Sequence, residues 1–172
     1  YTWEDAWDIV TRTVSYTNHT VLPEALETWN EELFKYKLPR IYMIISEINR
    51  RFCADLWNAY PGDWNRITDM SILSHGRVKM ANLSVIGSHS INGVSKLHSD
   101  ILTDTIFSNF YHYTPGKFTN VTNGVAHRRW LCASNPGLAN LLSETIGDGY
   151  RKNPEEIANF AKFANDSSVL EQ

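Results

Sequence analysis

The sequence predicts a mainly α fold with one or two short strands. Three observations carry this expectation. Apolar residues recur at helical spacing in several segments, prolines stand where helices begin, and only one stretch alternates as a strand does. The chain has 172 residues, of which 42% are hydrophobic and 20% charged, as in an ordinary globular protein.

Trp3, Trp7, Val10 and Val14 predict a helix over 3–14. The polar turn Tyr16-Thr17-Asn18-His19-Thr20 follows. Pro23 suits a first helical position, and Glu24 and Glu27 suit the positive end of the helix dipole, which predicts a helix over 23–36. Pro39 opens the longest periodic segment, with Ile41, Ile45, Ile48, Phe52 and Leu56 on one stripe. It stops at Pro61-Gly62, and a short helix is expected over 63–72.

Residues 77–94 are rich in small side chains, which let backbone approach backbone or ligand. Helical spacing resumes through Val94, Leu97, Ile101 and Leu102, and an aromatic cluster runs from Phe107 to Tyr113. Residues 117–122, KFTNVT, alternate as a short strand. Asn135-Pro136 and Asn153-Pro154 each read as an N-cap with proline behind it. Leu138, Leu141, Leu142 and Ile146 lead to a C-cap at Gly147, and Ile157, Phe160 and Phe163 predict a last helix.

Composition excludes several function classes. The net charge of −3 is spread along the chain, so there is no basic face for nucleic acid. No apolar run reaches the roughly 18 residues of a membrane span. The N-terminus, YTWEDAWDIV, is acidic and aromatic and does not read as a secretory signal, so a cytoplasmic address is expected. Cys53 and Cys132 lie far apart and read as buried reduced thiols. The six tryptophans are expected mostly in a core, with a few free to stack on a sugar.

Candidate chemistry is sparse. No dinucleotide fingerprint, P-loop or nucleophile elbow is present. Ser88, His89 and Ser90 read as a turn, because adjacent residues seldom face one another as a triad requires. His89 and His98 have no third ligand beside them, so no metal is expected. Arg128-Arg129 reads as solvated or ion-paired surface before it reads as a phosphate site. His19 is a turn residue on the plain reading and a ligand-binding residue on the sharper one. A helix entrance offers free backbone groups and side-chain donors together, which keeps the sharper reading open.

Four stretches then carry a resemblance: YTNHTVLPEALETW at 16–29, MANLSVIGSHSINGVSKLHSDIL at 80–102, TNGVAHRRWL at 122–131 and NPGL at 135–138. Together they resemble the glycogen, starch and maltodextrin phosphorylase family over nearly the whole chain. The resemblance implies an interior segment of a two-domain GT-B glycosyltransferase fold. Residues 1–123 would close the N-terminal domain and 124–172 would open the C-terminal one. It implies removal of terminal glucose from an α-1,4-glucan by inorganic phosphate, as glucose 1-phosphate, with pyridoxal phosphate on a lysine.

His19 matches the family's histidine at the glucose subsite, catalytic and substrate-binding at once. Its ring would bond the sugar 6-hydroxyl, and its carbonyl would face the developing positive charge. Ala25 and Glu27 match positions on the anomeric side, and Asn123 matches an asparagine on the same 6-hydroxyl. Val94 and Trp130 match residues beside sugar and cofactor. Ala126-His127 departs from the family's common Thr-Pro in a manner similar to bacterial members. The ASGTSNMK-like lysine motif and the phosphate-holding residues are absent from these 172 residues, so the segment alone is expected to be inactive and to carry no cofactor. Partners implied are the glucan, phosphate and a second copy in a homo-oligomer. The competing readings are a non-catalytic helical module that binds carbohydrate or protein, and a structural α-domain.

Overall fold

The computed structural model of the chain describes residues 1–171. It divides into two units, one of Tyr1–Asn123 and one from Gly124 onward.

The first unit opens with α1 (Trp3–Thr13). Thr2 caps it by accepting from the Asp5 amide. Strand β1 (Ser15–Thr17) follows. The expected helix over 23–36 is not one helix. It is a 3-10 turn at Pro23–Ala25, a strand β2 (Thr28–Asn30) and a helix α2 (Glu31–Lys37). The reason is tertiary: Thr28, Trp29 and Asn30 pair antiparallel with β4 (Arg77–Lys79). Asn30 then caps α2 by accepting from the Leu33 amide, so one residue both ends a strand and starts a helix.

Helix α3 (Pro39–Ala59) is the long helix the periodicity predicts. Ile45, Ile48 and Leu56 of its stripe are buried, while Ile41 at its start is exposed. Helix α4 (Trp64–Met70) and strand β3 (Leu73–Ser74) lead into β4 and then α5 (Met80–Gly87). Strand β5 (Ser90–Gly93), helix α6 (Lys96–Ile101), a π-helical turn at Leu102–Ile106, helix α7 (Ser108–Tyr113) and strand β6 (Phe118–Asn120) complete the unit.

Two three-stranded sheets result, where one or two strands were expected. One has the order β2-β4-β3. The other has the order β1-β5-β6 and is parallel throughout. Tyr16 stands opposite Ile91, and Ile91 opposite Phe118. Strand β6 falls within the strand expected over 117–122. The other five escaped notice because each is two to four residues long, too short for a period of two to register.

The core is aliphatic and phenylalanine-rich. Leu56, Met70, Ile72, Val78, Ile91 and Phe107 are buried at or near zero exposure. The tryptophans depart from expectation. Trp29, Trp57, Trp64 and Trp130 are exposed, and Trp3 and Trp7 are half-buried against the core. Both cysteines are free and half-buried rather than buried, and burial pushes the Cys53 thiol up.

The second unit contains a π-helical stretch at Arg128–Ala133, helix α8 (Pro136–Ile146) and 3-10 turns at Asp148–Arg151 and Pro154–Phe163. Asn135 and Asn153 cap as expected, and Gly147 ends α8 with φ of 80°, a conformation that favours glycine. The expected last helix is 3-10 rather than α, and a short helix α9 (Ser167–Leu170) follows it. No helix among the described residues is long and apolar enough to cross a membrane.

Candidate functional site

The three parallel strands all end at the same edge of their sheet. Asn18 and His19 follow β1, Val94 follows β5, and Val121 to Asn123 follow β6. Ligands of open parallel sheets bind outside the carboxyl ends of the strands. The placement therefore gathers three distant stretches of sequence at one edge.

The turn after β1 is built around Asn18, which is 2% exposed. Its amide N–H donates to the Asn92 carbonyl at 3.0 Å, extending the strand pairing by one residue. Its side-chain NH₂ donates to the Tyr16 hydroxyl at 3.0 Å, and its side-chain oxygen accepts from the Thr20 amide at 2.9 Å. The Thr17 hydroxyl donates to the Asn92 side chain at 2.8 Å. The polar crowding at 16–20 thus closes a turn through Asn18. His19 is carried outward by that turn and is exposed, with no hydrogen-bond partner among the described residues.

His19, Ala25 and Glu27 share one concavity, with Tyr16 and Thr20 beside them and Ser84 of α5 across from them. Glu27 is exposed and accepts from the Trp29 indole at 2.6 Å. Its carbonyl accepts from the Met80 amide at 3.1 Å, which fixes this loop to the start of α5.

Val94 and Asn123 meet directly. The Asn123 amide donates to the Val94 carbonyl at 3.0 Å, and the Val121 amide donates to the Gly93 carbonyl at 3.2 Å. The Val94 amide donates to His98 Nδ1 at 3.0 Å. Both backbone groups of Val94 are therefore occupied, and only its apolar side chain is left to face a ligand. Gly93 is required here: a Cβ on it would stand 2.9 Å from the Ser99 Cα and amide nitrogen. The close approach seats α6, whose N-cap Ser95 accepts from the His98 amide.

Trp130 lies in the second unit, in the Arg128–Ala133 stretch, and is 66% exposed. Arg128 donates to the Arg151 carbonyl rather than to a carboxylate. His127 Nε2 lies 3.1 Å from the Tyr150 carbonyl and, facing an acceptor, donates to it. The Ala126-His127 form of this segment is thus anchored through its histidine. Among the described residues no group of three or more His, Cys, Asp or Glu is placed to hold a metal.

Asn92 was not singled out from sequence, and Asn18 and His98 were named there without the roles they take at this edge. The side chain of Asn18 bonds within its own turn, but the partners that tie Asn92 and His98 to that turn lie far away in the chain, 75 residues for Asn92 and Thr17 and 78 for His98 and Thr20. The local signal was the Ser95 cap three residues before His98, which marks a helix start and no more.

Comparison with known proteins decides the family. The model for carbohydrate phosphorylases matches residues 1–172. The chain belongs to the carbohydrate phosphorylase family. It is 54% identical over 170 residues to glycogen phosphorylase of Bacillus subtilis, covering 99% of this chain and 21% of that protein. It is 46% identical over 171 residues to the muscle forms of human and bovine glycogen phosphorylase, covering 98% of this chain and 20% of each. The chain spans about a fifth of the length of these relatives.

Proposed function

We propose that this chain contributes the glucose-binding edge of an α-1,4-glucan phosphorylase, a glycosyltransferase that releases glucose 1-phosphate with inorganic phosphate. One observation carries the reading. The turn with His19 and the segments with Val94 and Asn123 gather at the carboxyl edge of one parallel sheet. The relatives named glycogen phosphorylase support it. In this reading residues 1–123 close the N-terminal domain of a GT-B fold and 124–172 open the C-terminal one. The division of the chain after Asn123 fits that assignment.

His19 takes the central role. Its flanks are held by Asn18 and Thr20, while its ring and carbonyl are free to meet a sugar. A fixed dipole facing developing positive charge stabilises a transition state without reorganising. Asn123 offers an exposed amide side chain for the same 6-hydroxyl. Ala25 and Glu27 line the concavity on the other side of His19.

Pyridoxal phosphate, when bound in the parent enzyme, supplies the phosphate group that works with the inorganic phosphate. By the resemblance Val94 and Trp130 stand beside it, and each taken by itself offers it an apolar side chain. Val94 has no free backbone group, and neither residue carries an amine or a cation.

The test uses the full-length parent and a substrate lacking the 6-hydroxyl. Wild type is expected to lose rate on the analogue, and His19→Ala and Asn123→Ala are expected to lose much less. Equal discrimination by all three would show that neither residue touches that hydroxyl.

A further inference from the structure

We infer that His98 is a positioning residue for this sugar edge, holding the His19 turn and the Val94–Asn123 segment in register through one neutral imidazole. The inference rests on the proposed pocket. It adds a residue that does not itself face the sugar.

The geometry is specific. Val94 N–H points at Nδ1 at 3.0 Å, so Nδ1 is an acceptor and carries no proton. The ring's proton then sits on Nε2, which donates to the Thr20 carbonyl at 3.3 Å. One rigid ring accepts on one side and donates on the other. Its two partners lie on the loops after two different strands, 74 residues apart by number, from Thr20 to Val94.

The bonds also continue outward. Beyond Val94, its carbonyl accepts from the Asn123 amide. Beyond Thr20, its amide donates to the buried Asn18 side chain. His19 lies between Asn18 and Thr20, so the turn is clamped on both sides of it. Asn18 clamps it from within the strand pairing, and His98 clamps it from α6. The ring of His98 is half-buried, and its helix is seated on Gly93 with no room for a Cβ. The clamp therefore cannot drift without moving the strand end.

Two variants divide the two bonds. Asn at position 98 keeps an acceptor near Nδ1 and loses the reach to Thr20. Gln keeps a donor near Nε2 and loses the acceptor for Val94. Phe keeps the ring and loses both. In the full-length parent, H98F is expected to lower kcat about 10–100-fold, since misplacing a catalytic group by about 1 Å costs that order. kcat and kcat/KM should fall together, because the His19 carbonyl acts in the transition state. H98Q should recover more turnover than H98N, because it restores the bond next to His19.

A H98F enzyme with wild-type kcat and wild-type discrimination of the 6-hydroxyl overturns the inference. If H98F does not fold, the other two variants decide. Equal turnover in H98Q and H98N makes the ring a space-filler and overturns it as well. H98Q above H98N, at matched unfolding temperatures, supports it. His19→Ala is measured alongside. If that variant keeps full turnover, the pocket itself is wrong, and this failure is distinct from a failure at His98 alone.

Discussion

A side chain can sit at a site because it binds or because it closes a turn, and in the proposed reading His19 and Asn18 divide those two jobs. Asn18 is buried and spends its side chain within the turn, while His19 is exposed and spends none. His19→Ala is therefore expected to leave stability within about 0.5 kcal/mol, as at an ordinary surface position. Turnover of the parent should fall about 10²–10³-fold, the cost of one transition-state contact. Thermal unfolding and steady-state kinetics on the same preparation check both halves. Gly93→Ala is expected to behave in the opposite way. Its Cβ would meet backbone of α6, so overpacking should cost about 1–3 kcal/mol. The unfolding temperature should drop before any effect on the sugar is read.

At the scale of elements, what could be read in advance depended on how local the cause was. Helix α3 was legible from its stripe and its leading proline, and α8 from stripe, proline and the caps at Asn135 and Gly147, all of which lie within or beside the segment. Strand β2 was not, because Thr28-Trp29-Asn30 becomes a strand only through Arg77–Lys79, about fifty residues on. The parallel sheet was hidden for the same reason, and with it the pairing of His19, Val94 and Asn123 along one edge. The motifs were visible as resemblance, while the clamp between them was not visible at all.

One ion-pair cluster on α3, reaching to α1, has a pH signature. Arg51 of α3 bonds Glu47 of its own helix and Glu4 of α1. The guanidinium groups of Arg50 and Arg51 hold the Glu47 carboxyl at about 2, from an ordinary 4.5. A carboxylate with a depressed folded value contributes stability that is present above 4.5 and is lost as pH falls through about 2. The pair is partly exposed, so solvent screening keeps the effect small. A carboxyl titration followed by NMR should place Glu47 near 2 and return it toward 4.5 when both arginines are replaced by methionine.

At the scale of the molecule, the two units are joined through exposed backbone. Residues 121–126 have no helix or strand and are exposed. Limited proteolysis of this 172-residue chain is expected to cut there first, as exposed irregular segments are cut. First cleavage inside α3 or α8 would contradict the division after Asn123. The surface also carries apolar residues in number. Val10 of α1 and Ile44 of α3 border one apolar groove, and both are exposed. Apolar patches of this kind seek cover, so the chain on its own is expected to self-associate. Light scattering across a concentration series reads this, and a monomer at high concentration would count against it.

The parallel sheet also sets a clock. Among the described residues strand β1 pairs with β5 alone, and the Thr17 hydroxyl bonds the Asn92 side chain across that pair, 75 residues apart. On a ribosome adding about 5–20 residues per second, β1 waits on the order of 4–15 s for its partner. Through that interval the backbone groups of Ser15–Thr17 that β5 will bond are unpaired, and unpaired backbone of this kind can pair with the wrong chain. The turn with His19 can take its shape only when the interval ends. Growth conditions that slow elongation through residues 18–92 should therefore lower the soluble yield of the parent more than slowing it through 124–172.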